Sequence, residues 1–98
     1  MTSAVLTDQF DLKGVIDFSN MVAIRAQGET HIAARDALIS VNLKGLEESN
    51  SVTVALLIAW MRCANNQGIS IVYINVPQEL RDIIEFSGLT TVLPIDNA

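Results

Sequence analysis

An apolar run, Val54 to Met61, lies inside a helix-like segment that opens on Ser49-Asn50-Ser51 and stops at Asn66-Gln67-Gly68. A helix resting on a single sheet needs only one apolar stripe. This segment, with Val52, Leu56, Leu57, Trp60 and Ala64 along it, is apolar nearly all the way round. Either neighbouring helices bury the remaining faces, or part of the helix meets a partner. Glycine just past the last turn is a common stop, because it takes the left-handed conformation cheaply.

The flanking segments set the fold class. Ile69 to Ile74 is β-branched and reads as a strand. Asn75-Val76-Pro77 opens another helix, with Leu80, Ile83, Ile84 and Ser87 on one face and Gly88 at its end. Upstream, Ala37 to Leu43 suits a central strand. Met21 to about Ala34 predicts a helix capped from Ser19-Asn20, weakened by Gly28, with Val22, Ala23, Ala26, Ile32 and Ala33 as apolar anchors. Ala4 to Leu6 and the stretch around Lys13-Gly14 predict a bent strand pair. Thr90 to Leu93 predicts a short last strand that Pro94 ends. The order is β-β-α-β-α-β-α-β, and its βαβ units imply parallel strands joined by right-handed crossovers. Two of the crossover helices are expected on one face of the sheet.

Composition narrows the function. The chain has 98 residues, half of them hydrophobic, which fits one domain over residues 1–98. Its net charge is −5 and its six basic residues are scattered, so neither nucleic acid nor an anionic membrane is an expected partner. The first residues lack the pattern of a signal peptide, and the longest apolar run falls far below the roughly 20 residues of a membrane span. The expectation is a cytoplasmic protein with no direct membrane insertion. The single cysteine, Cys63, reads as a buried small hydrophobe rather than a reactive thiol.

Little in the sequence supports catalysis. His31 is the only histidine and reads as a surface helix residue. With Cys63 alone beside it, no metal site is expected. The five glycines are isolated, so no phosphate-cradling loop is formed. Glu47-Glu48 reads as a solvated loop that complements the positive end of the next helix. Trp60 is read as core or as a partner anchor. The expectation is a chain that is not an enzyme and needs no cofactor.

The polar start of the central helix is the remaining candidate site. Ser49, Asn50, Ser51 and Thr53 place hydroxyl and amide groups where backbone N–H groups lack partners and the helix dipole is positive. They serve as N-caps, as a recognition surface, or as a phosphate acceptor.

The stretches Val41-Asn42-Leu43-Lys44-Gly45-Leu46 and Asn50 to Leu57 resemble the strand–loop–helix of STAS domains. Gln67 to Leu80 resembles the following strand and helix of that family, and Phe86-Ser87-Gly88-Leu89 resembles its usual close. The resemblance runs from about Phe10 to Leu93. It implies an α/β STAS fold, like that of anti-sigma-factor antagonists, with a mixed sheet and helices mainly on one face. Within the family the chain looks most like the STAS subunit of Mla-type phospholipid ABC transporters. That likeness implies a cytoplasmic subunit, held at the inner membrane through its partner, that binds the transporter ATPase and supports its assembly and activity. Carried over by position, it points to Ser49, Asn50, Ser51, Val52 and Thr53 as partner-binding residues, with Ser51 as the candidate phosphoacceptor; a homodimer stays open.

Anti-sigma-factor antagonists usually carry an aspartate, two hydroxyl residues and a glycine at this place. The run here is Asn50-Ser51-Val52-Thr53, which departs from that pattern at three positions and weakens the case for a kinase-driven switch. On these residues a Thr53 replaced by a bulky charge is expected to weaken docking and leave the fold intact.

Overall fold

The computed structural model describes residues 8–33 and 38–96. Its elements are β1 (Asp8–Asp11), α1 (Met21–Ala33), β2 (Ile39–Asn42), α2 (Ser51–Asn66), β3 (Ile71–Ile74) and α3 (Gln78–Phe86). The strands lie side by side in the order β1-β2-β3, and both pairings are parallel. The fold is therefore α/β, with β2 central as its apolar residues predict. The expected first strand, at Ala4 to Leu6, lies outside the described residues. So does any antiparallel pairing it would bring to a mixed sheet.

Register explains which side chains meet the helices. Phe10, Val41 and Tyr73 stand in one row across the sheet. Tyr73 is buried, and its hydroxyl donates to the Leu57 carbonyl of α2 at 2.5 Å. Phe10 meets Trp60 of α2 edge-on, with ring centroids 5.3 Å apart. That row therefore faces α2. Burial pushes the Tyr73 phenol well above its ordinary pKa, so it stays a neutral donor.

The apolar surplus of α2 is mostly buried. Val54, Leu56, Leu57, Trp60 and Ala64 are buried, and α1 and α3 both pack against the helix. Its outer side, at Ala55, Ile58 and Ala59, lines an open groove of about 730 Å³ shared with Met21, Arg25 and Arg62. Trp60 belongs to the core, not to a partner surface: it is 1% exposed, and its indole N–H donates to the Arg25 carbonyl at 3.1 Å.

Gly28 corrects the reading of α1. A Cβ there would sit 2.2 Å from the Trp60 ring, so the glycine is the notch that lets the indole lie against the helix. The buried positions of α1 are Gly28 and Ile32, with Met21 and Ile24 packed partly against the core. The expected anchors Val22, Ala23, Ala26 and Ala33 are exposed. The sequence pattern turns the apolar stripe of this helix too far, because a ring-on-glycine contact leaves no hydrophobic signature.

Three other expectations shift. Before α1 the accepting role expected of Ser19 or Asn20 is taken by the Asp17 carboxylate. The Asp17 carboxylate accepts from the Ser19 N–H at 2.8 Å, the Ser19 hydroxyl at 2.6 Å and the Asn20 N–H at 3.2 Å. The second expected strand, from Phe10 to Phe18 around Lys13-Gly14, is realised only in its first part: Phe10 lies in β1, and beyond it Gly14 makes only an isolated parallel bridge to Leu46. Thr90 to Leu93 forms turns, and the chain rejoins the sheet beyond them through a parallel bridge of Ile95 to Tyr73. Pro94 does not end that contact: its carbonyl accepts from the Tyr73 N–H at 2.9 Å, a role that needs no N–H of its own.

Candidate functional site

Parallel strands bring the loops that follow them to one edge of the sheet. The β1–α1 loop and the β2–α2 loop are neighbours there, bridged at Gly14 and Leu46 and by the Glu47 N–H donating to the Gly14 carbonyl at 2.9 Å. The start of α2 emerges from this edge.

Asn50 is the N-cap of α2, with extended backbone at φ −153° and ψ 171°. Its side-chain oxygen accepts from the Thr53 N–H at 2.8 Å and from the Thr53 hydroxyl at 3.0 Å. Its amide nitrogen donates to the Ile16 carbonyl of the β1–α1 loop at 2.9 Å. One side chain therefore caps a helix and fastens the neighbouring loop. An acceptor at this position is legible in the sequence; the donor contact, 34 residues away along the chain, is not.

The five expected partner-binding residues divide by exposure. Ser51 is exposed, and Ser49, Asn50 and Val52 are partly exposed. Thr53 is 0% exposed. It belongs to the inner side of the helix and positions the site rather than presenting it. The expectation that a bulky charge at Thr53 leaves the fold intact is overturned on the same ground.

The β1–α1 loop adds a surface beside the start of α2 that no sequence motif marks. Asn20 donates from its amide to the Val15 carbonyl at 2.8 Å and accepts from the Asp17 N–H at 2.9 Å, so the loop is tied to itself as well as to Asn50. The Ser19 hydroxyl, followed by backbone N–H groups, holds the Asp17 carboxyl below its usual range. The loop exposes Phe18 at 87%, and Val22 of the following turn is exposed at 77%. Their side chains are apolar in the sequence, but only the structure shows that they face outward.

Acid–base and metal chemistry find little here. His31 is half-buried and its ring lies 4.5 Å from that of Phe10, centroid to centroid. Cys63 is half-buried; burial, and next the Glu29 carboxylate, push its thiol pKa up, which disfavours the nucleophilic thiolate. Glu47 and Glu48 are exposed loop residues. Among the described residues, no three His, Cys, Asp or Glu side chains converge as a metal site would require. Among the described residues, no helix is long and apolar enough to cross a membrane.

Comparison with solved structures finds the same fold in the anti-sigma factor antagonist SpoIIAA in its unphosphorylated form. The TM-score is 0.74 at 24% identity, over 99% of this chain and 84% of that one. No curated protein matches the sequence. The model of one protein family, described as "Mlab, STAS domain", matches residues 3–94. The chain is thus a member of the STAS-domain family.

Proposed function

We propose that this chain is a non-catalytic STAS subunit that docks on the ATPase of an Mla-type phospholipid ABC transporter and supports its assembly and activity. The observation that carries this reading is the exposed hydroxyl start of α2, on a chain whose matching family model bears the Mlab description. Ser49, Asn50, Ser51 and Val52 form the docking surface, and Thr53 holds it from beneath. These side chains are uncharged and small, so another backbone approaches closely without a charge being desolvated. In the cell the subunit is cytoplasmic and reaches the inner membrane only through its partner.

Co-purification with the transporter ATPase tests the proposal. The wild-type chain is expected to associate. Ser51→Arg is expected to weaken association at least tenfold while costing the fold no more than about 1 kcal/mol at the positive helix end, because it adds bulk and charge at an exposed position. A folded wild-type chain that does not associate would sink the reading.

The fold shared with SpoIIAA and the exposure of Ser51 favour a second reading, an anti-sigma-factor antagonist controlled by phosphorylation. A phosphate on Ser51 would place about −1.5 to −2 charge at the positive end of α2. Mass spectrometry after incubation with a cognate kinase separates the two. Stable phosphate on Ser51 favours the switch, and an unmodified chain favours the transporter subunit.

A further inference from the structure

We infer that Asn50 is a positioning residue, whose amide fastens the β1–α1 loop to the start of α2 so that both face the partner as one preformed surface. The inference rests on the docking reading above and deepens it by adding the loop to the surface.

The geometry is two-sided. The Asn50 oxygen is occupied by the Thr53 N–H and hydroxyl, and its nitrogen reaches the Ile16 carbonyl at 2.9 Å. Ile16 is fully buried, so its carbonyl has a strong requirement for a donor. Aspartate caps a helix as well as asparagine does. It has no hydrogen to give when ionised, and it would set a carboxylate oxygen against that carbonyl. Capping alone therefore makes the two residues interchangeable here, whereas fastening demands the amide. Between Ile16 and α1 lies the turn built on Asp17 and Asn20, which carries the exposed Phe18. Fixing Ile16 fixes where that turn begins. A surface ordered before encounter loses less conformational freedom on binding.

Asn50→Asp tests the inference by amide hydrogen exchange on the free protein and titration with the ATPase. Amides of residues 15–20 are expected to exchange about tenfold faster, with those of β2 unchanged, and affinity is expected to fall about tenfold. Normal protection in the loop would overturn the fastening role. Faster exchange at unchanged affinity would overturn the loop's part in docking. If the wild-type chain does not bind the ATPase, the docking half falls with the function proposed above, and the exchange result alone decides the fastening. Should the aspartate variant fail to fold, Asn50→Ser, which caps but cannot span to Ile16, gives the same two readouts.

Discussion

The two ends of α2 are held by different physics. Its first turn is fixed by polar groups: Asn50 caps it, Thr53 closes the cap from below, and Ile16 ties it to the next loop. Its later turns are fixed by burial, with Trp60 lying in the notch at Gly28 and buried hydrogen bonds from Trp60 and Tyr73 locking that packing. Polar fastening lets a helix end stay at the surface and still be ordered, since a hydrogen bond orients without needing burial. Packing orders only what it hides. The first turn is therefore able to serve as a recognition surface, and the buried face of the later turns is committed to stability.

Substitutions on either side of this divide sharpen it. The largest effect is expected at Thr53→Lys, where a charge enters a fully buried site and the cap loses a hydroxyl. A loss of about 4 kcal/mol, or of folding itself, is expected in urea denaturation. Retained stability would place Thr53 with the exposed residues after all. Gly28→Ala comes next. Alanine favours a helix by up to about 1 kcal/mol, but its Cβ would fall 2.2 Å from the Trp60 ring. Overpacking costs about 1–3 kcal/mol, so net destabilisation of about 1–2 kcal/mol is expected. A stabilised variant would show that the ring moves aside freely. Tyr73→Phe removes one buried donor to α2 and is expected to cost about 1 kcal/mol, read from the shift of the denaturation midpoint.

The smallest effect is expected at the exposed polar end. The pKa of Asp17 is lowered in the fold. Its contribution is therefore fully present above the unfolded carboxylate pKa and fades as pH falls through the lowered folded value. Proton exchange or nuclear magnetic resonance shifts in residues 17–20 should loosen in that acidic window alone. The signals of Trp60 should stay put there, and their joint loss would show that the two ends are not separable.

The elements with strong local signals were legible. The β-branched runs, the capped start of α2 and the glycines at 68 and 88, both at positive φ, set β2, β3, α2 and the ends of two helices close to where they stand. The candidate site was legible as a cap and as a family likeness. What escaped has a common cause. The facing of α1, the burial of Thr53, the role of Asp17 and the return of the chain at Ile95 depend on contacts that local pattern does not encode.

By itself, then, the sequence determined an α/β chain with a central helix too apolar for one neighbour and a hydroxyl-rich start to that helix. Periodicity, capping chemistry and turn residues act over a few positions, so they can be read in a line. Only the tertiary structure decided that Gly28 receives Trp60, that Asn50 reaches Ile16, and that Ser51 faces outward while Thr53 faces in. Those outcomes turn on contacts between distant parts of the chain, such as the Asn50 amide on the Ile16 carbonyl and the Trp60 indole on the Arg25 carbonyl, each spanning more than 30 residues.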